Sequence, residues 1–390
     1  MKCNLLFALF AIVSPSFAAG QQTVTTPPSI VFILADDMGI GDVQCFNPEG
    51  KIKTPCMDRL ASEGMRLNDA HSPSAVCTPT RYGILTGRYA WRGRLKNGVL
   101  WGASDPLIEE GRPTVPSLLR DAGYATACVG KWHLGLGIPK RKGGKVKGKK
   151  GQHWDLDYTL PLTNTPLDHG FDHFYGISAS LDMPPYWWID DNRWTEIPTV
   201  SKAFFRLGAA GKNFEAVDCL DGITTHAVDW IKETTAANPK QPFFLYVPLT
   251  APHTPIVPSK NWKGKSGIGD YADFVMEVDD TVGRISDAVR AAGRANSTLF
   301  IVTSDNGCAP KPLKKIRKHG HDPSGGFRGQ KADIYEGGHR VPFIARWPGH
   351  IVEGSRSTET VCLTDLFATA ADLTGRALPP NAAEDSVSLL

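Results

Sequence analysis

No Cys-x-x-Cys pair occurs in the 390 residues, although eight cysteines are present. Their wide spacing argues against a structural zinc site. Net charge is equally scarce. The 43 lysines and arginines are nearly balanced by 40 aspartates and glutamates, leaving +3. That is too little to argue for a nucleic-acid partner. Beyond the first twenty positions, no apolar run approaches the roughly 20 residues that cross a bilayer, so no membrane segment is expected. What is present is ordinary globular composition, 41% hydrophobic and 21% charged. It suffices for one large domain, or a large and a small one.

The start of the chain is the exception. Lys2 precedes the run LLFALFAIV, and SPSFAAG follows with small residues at Ser16 and Ala18. A basic start, a short apolar stretch and a small-x-small site predict a secretory signal over residues 1–19, cleaved near Ala18. Residues 20–28 then form a polar linker, and the protein is expected to be secreted or periplasmic. Apart from Cys3 and Cys77, six cysteines remain: Cys45, Cys56, Cys128, Cys219, Cys308 and Cys362. An oxidising compartment permits disulfides, but a domain of this size does not need them, and buried free thiols are the expectation.

Four apolar runs share one design. SIVFILA ends at Asp36-Asp37, YATACVG at Lys131-Trp132-His133, PFFLYVPLTAP at His253, and TLFIVTS at Asp305-Asn306. Short, nearly unbroken β-branched and aromatic runs predict strands buried on both faces of a parallel sheet. Helical segments lie between them. TVPSLLRDAG has proline near its start and glycine at its end. The segment 270–293 carries apolar residues at 274, 278, 282, 285 and 289, a helical stripe. The fold expected is α/β, a mostly parallel sheet sandwiched by helices. In such sheets, sites gather at the carboxyl ends of strands. Each polar cluster alone could be a turn, but four of them at strand ends predict one site assembled from distant sequence.

Asp36, Asp37, Asp305 and Asn306 offer only oxygen atoms. Hard oxygen ligands favour Ca²⁺ or Mg²⁺ over zinc or copper. Calcium is expected because it tolerates irregularly placed ligands, and magnesium stays open.

The stretch VCTPTRYGILTGRY holds Cys77 in a turn two residues before Pro79 and four before Arg81. A free thiolate there would suit acyl transfer. The ordered motifs point elsewhere. C-T-P-T-R at 77–81, ILADDMG at the first strand, GKWHLG at 130–135, APHTP at 251–255, SDNG at 304–307 and GQKADIYEGGHRVPFIARWPG at 329–349 together resemble the type I sulfatase family, within the alkaline phosphatase superfamily. The resemblance runs from about Ser29 to the last residues. It implies conversion of Cys77 to Cα-formylglycine by a maturase enzyme, whose hydrate attacks a sulfate ester beside the metal, with position 77 joining its ligands. It further implies that Arg81 holds the hydrate and that Lys131 and Lys331 bind sulfate oxygens. His133 would deprotonate the hydrate, and His253 would protonate the leaving alcohol. The catalytic domain is expected over 29–376, and 377–390 as the beginning of a truncated carboxyl-terminal region.

For substrate, SASLDMPPYWWIDDNRW from Ser178 offers Asp182, Tyr186 and Trp187, aromatic faces and a carboxylate suited to a sugar. The same side chains could equally fill a core. This segment and WRGRLKNGVL resemble carbohydrate-active sulfatases, those for galactosamine-6-sulfate and galactose-6-sulfate nearest. The lysine-rich insert KRKGGKVKGKKGQ from Lys140 reads first as a solvated loop and second as an attractor of polyanions. Two rivals remain open: a phosphodiesterase or phosphonate monoester hydrolase of the same superfamily, and a non-catalytic sulfated-glycan-binding protein.

Overall fold

The computed structural model describes residues 27–142 and 151–390. The expected signal, most of the linker and most of the lysine-rich insert lie outside the described residues. A ten-stranded sheet organises the rest. Across it the strands run Ser355–Ser357, Met65–Leu67, Phe343–Arg346, Thr298–Ser304, Ser29–Ala35, Phe243–Pro248, Ala125–Lys131, His173–Ile177, Ile189–Asp190 and Arg193–Trp194. The five strands from Thr298–Ser304 to His173–Ile177 pair in parallel, and antiparallel pairing begins on either side of them. The α/β architecture expected from the four apolar runs is therefore present.

Period-two alternation sends one strand into two cores. Ile30, Phe32 and Leu34 meet Tyr82, Leu119 and Leu366 on one face. Val31, Ile33 and Ala35 meet Ile223, Val278 and Val282 on the other. The predicted helical stripe is realised in the helix Asp270–Ala291, where Phe274, Val278, Val282, Ile285 and Val289 are all buried. Each such side chain contributes on the order of 1.5–3 kcal/mol on leaving water. The helix Val115–Asp121 begins at a Thr114/Ser117 capping box with proline in its first turn, satisfying amide groups that the helix itself leaves unpaired.

Backbone hydrogen bonds carry the order of the sheet past the strand ends. Asp36 N–H donates to Ala251 O (2.9 Å) and Asp305 N–H to Ala35 O (3.0 Å), so both acids sit on fixed backbone. At the neighbouring strands, Gly130 pairs in register with Gly176. A Cβ on Gly176 would lie 1.8 Å from Gly130 O. Only glycine allows this approach, one residue before Lys131.

All seven cysteines in the described residues are free, four of them buried. No helix of the described residues is long and apolar enough to cross a membrane. Residues 377–390 lie back on the main body, where Asp385 pairs with Arg92 (2.6 Å) and Val387 N–H donates to Asp365 (2.9 Å).

Candidate active site

Asp36, Asp37, Asp305 and Asn306 come together in the interior, each at most 2% exposed. One oxygen from each of the three aspartates lies within 4.8 Å of the others. Asp37 adopts φ 69°, turning its side chain back into the cluster. Asn306 Nδ2 donates to Asp37 Oδ1 (2.7 Å), which leaves its Oδ1 pointing inward. Asp36 Oδ1 and Asn306 Oδ1 are buried with no hydrogen-bond partner among the described residues. An orphaned buried acceptor costs roughly 1–3 kcal/mol, and two beside three carboxylates fit a hard cation. The ionisation pattern reflects the same crowding. Burial raises the pKa of Asp36, but Lys131, His253, Arg81 and Lys331 outweigh it and hold the group well below the usual carboxylate range. Burial and then Asp36 push Asp305 upward.

Cys77 is the first residue of the helix Cys77–Thr86, after Val76 in extended conformation. Arg81, one turn on, is wholly buried. Its Nη2 donates to Asp305 Oδ2 (2.8 Å) and lies 3.7 Å from Asp36 Oδ2, and its Nη1 donates to Lys131 O (3.0 Å), so one guanidinium joins three strand ends. Lys131 Nζ bonds Asp36 Oδ2 (2.6 Å). Lys331 Nζ bonds Asp37 Oδ1 at 2.6 Å and lies 3.9 Å from Cys77 Sγ. Burial pushes the Cys77 thiol up despite Lys131 and Lys331, the opposite of an activated thiolate.

The two histidines show different ring nitrogens. His133 Nε2 lies 2.8 Å from Leu100 O, an acceptor, so Nε2 carries the proton and Nδ1 is left as a buried lone pair without a partner. Burial, then Lys131 and Arg81, hold its pKa well below the usual value, so the ring is neutral. His253 Nδ1 lies 2.6 Å from Thr254 O and 3.1 Å from Ser180 Oγ. Its Nε2 faces Asp37 Oδ2 at 3.7 Å.

The sulfatase family model matches residues 28–376. This chain belongs to the sulfatase family. It is 33% identical to the N-acetylgalactosamine-6-O-sulfatase of Bacteroides thetaiotaomicron, over 92% of this chain and 75% of that protein. To the human N-acetylgalactosamine-6-sulfatase it is 32% identical, over 95% and 66%. A solved structure from work on glycosaminoglycan metabolism in B. thetaiotaomicron superposes with a TM-score of 0.81 at 31% identity, covering 94% of this chain and 81% of that one. Family and relatives alike do not favour the phosphodiesterase reading.

In this sulfatase-family chain the sequence-predicted substrate residues part company. Asp182 follows Ser180, the partner of His253, by two residues, with Oδ2 on Arg206 Nη1 (2.7 Å) and Oδ1 buried and unpartnered. Tyr186 and Trp187 are both buried in a core. Trp187 is ringed by Tyr158 (4.5 Å) and Trp194 (4.9 Å), and the Tyr186 hydroxyl donates to Arg206 O (2.6 Å). These are placements of core residues. Sequence reasoning missed Ser180, which steadies His253. It also missed Trp101 and Arg206: the Arg206 guanidinium lies 4.8 Å over the half-exposed Trp101 ring, beside Leu100 that holds His133. Arg206 is 24 residues from Asp182, and no local pattern announces the pairing.

Proposed function

We propose that the chain hydrolyses sulfate esters of a sulfated carbohydrate, with 6-O-sulfated N-acetylgalactosamine or galactose as the candidate unit. The nucleophile would be Cys77 matured to Cα-formylglycine by a partner enzyme. A divalent cation, calcium in preference to magnesium, would be held by Asp36, Asp37, Asp305, Asn306 and position 77. The observation that carries this reading is the meeting of a Cys-x-Pro-x-Arg turn with an all-oxygen acidic cluster containing two orphaned acceptors. The substrate class is supported by the names of the two relatives.

When bound, such a cation lowers the pKa of a neighbouring hydroxyl, which the aldehyde hydrate supplies. The remaining roles fall to the chain's own groups. Arg81 fixes position 77 relative to Asp305 through its two bonds. Lys131 and Lys331 place positive charge where sulfate oxygens gather charge during S–O cleavage. His133 accepts a proton at Nδ1, its one uncommitted atom. His253 Nδ1 is committed to Thr254 O, so only Nε2 faces the site; it protonates the leaving alcohol only after the ring has taken up a second proton there, against the burial that lowers its pKa. Asp182, paired with Arg206, is the proposed sugar contact, its Oδ1 having no partner of its own.

Peptide mass spectrometry of the Cys77 segment tests the nucleophile, and hydrolysis of 6-O-, 4-O- and 2-O-sulfated sugars tests the substrate. Loss of the sulfur atom and a strong 6-O preference are expected. Full activity with an unmodified thiol would overturn the first, and equal turnover of the three sugars the second.

A further inference from the structure

A second group of ligating side chains meets outside the sulfatase site, where the short strand Ala70–His71 approaches the one-turn helix Glu336–His339. His71 Nδ1 and His339 Nδ1 lie 2.9 Å apart. The other nitrogen of each ring is already committed. His339 Nε2 lies 2.9 Å from Ile334 O, which only accepts, so that nitrogen carries a proton. His71 Nε2 lies 2.9 Å from Asp69 Oδ1. The Asp69 carboxylate also accepts from the Thr360 hydroxyl and pairs with the Arg340 guanidinium, so it too is an acceptor and His71 Nε2 is a donor. With both rings neutral, two Nδ1 lone pairs face one another, a repulsion that either a shared proton or a metal ion between them removes.

We propose that His71 Nδ1, His339 Nδ1 and the Glu336 carboxylate bind a divalent transition metal, with zinc the best match, at a site separate from the hard-cation cluster. One Glu336 oxygen lies within 4.8 Å of a ring nitrogen of each histidine. Two imidazoles on one tetrahedral zinc stand about 3.3 Å apart, given bonds of about 2.0–2.1 Å, so a slight opening of the pair seats the ion. The outer partners are those a histidine metal site requires: a carboxylate on one ring and a backbone carbonyl on the other, each fixing Nδ1 as the ligand atom. Glu336 now bonds Arg340, which keeps Asn68 O (2.7 Å) and Asp69 as partners when Glu336 turns to the metal. A cavity of about 890 Å³, bordered by His71, His339, Ser72 and Tyr89, leaves room for water in the fourth position. The site uses histidine and carboxylate, so the absence of Cys-x-x-Cys does not bear on it.

Its position suggests a clamp. His71 precedes Cys77 by six residues, and His339 follows Lys331 by eight. The two segments are already stitched by Ser72 N–H to His339 O (2.8 Å) and Ala332 N–H to Ala75 O (2.9 Å). A metal here would tie the strand entering the nucleophile turn to the loop that carries Lys331.

The test uses the full chain in excess calcium, titrated with Co²⁺ by visible absorption and then displaced by Zn²⁺. One equivalent should bind, and Zn²⁺ should raise the melting temperature. His71→Gln and His339→Gln should each weaken binding at least about 100-fold, and Asp69→Asn about 10–100-fold. Should His71→Gln fail to fold, His339→Gln and Asp69→Asn carry the same reading. Absence of a bound equivalent, or binding that these variants leave unchanged, overturns the proposal; the pair then shares a proton instead.

Discussion

His133 has its Nε2 bonded to Leu100 O and its Nδ1 bare, and this asymmetry makes a pH prediction. A base works in its neutral form. Burial, Lys131 and Arg81 lower the pKa of this ring, so the neutral form persists below the ordinary histidine value of about 6.5. In the acid direction kcat should therefore hold until well below pH ~6.5, and a limb at or above that value would refute the role. His133→Asn should cost about 10²–10⁴-fold in kcat. The same sign governs stability: a ring kept neutral by folding contributes above its unfolded pKa, and that contribution is lost as pH falls. Residue identity made His133 and His253 legible because each follows an apolar run. The buried surroundings that set their protonation come from the neighbouring Thr254 and from Leu100 and Ser180, which no spacing rule connects to them.

Among the elements, the paired glycines at Gly130 and Gly176 decide where Lys131 stands. A methyl on Gly176 would meet Gly130 O, a backbone atom that cannot rotate away. Gly176→Ala must separate the Ala125–Lys131 and His173–Ile177 strands, and overpacking of this kind costs about 1–3 kcal/mol or more. The melting temperature should fall by several degrees. Lys131, displaced from its 2.6 Å bond to Asp36, should take kcat down at least about tenfold. Thermal melts and kcat check this together, and no change in either would refute it. The strands themselves were readable because burial on both faces leaves an unbroken apolar run, and their polar ends stood out against it. The aromatic stretch around Tyr186 and Trp187 had no such contrast. A ring filling a core and a ring stacking on a sugar have the same sequence, and only the contacts with Tyr158 and Trp194 distinguish them.

For the molecule as a whole, a net charge of +3 conceals an uneven surface. The helix Pro310–Ile316 begins two residues after Cys308, whose carbonyl receives the Lys331 N–H (3.0 Å), so it borders the site. Lys311, Lys314, Lys315, Arg317 and Lys318 are all exposed there. Basic side chains beside a site proposed to act on a sulfated carbohydrate should draw in a polymeric form of it by long-range attraction, which is strongest for many charges and weakest for one. Raising salt from about 0.1 to about 1 M shortens the screening length from about 10 to about 3 Å. KM for a sulfated polysaccharide should rise about tenfold over that range, while KM for a small aryl sulfate, whose proposed contacts with Lys131 and Lys331 are short, should move far less. A Lys314→Glu, Lys315→Glu double variant should reproduce the high-salt KM at low salt and leave kcat on the aryl sulfate unchanged. Parallel KM changes for the two substrates would show that the exposed helix is solvated surface, and that attraction comes from the buried ammonium groups alone.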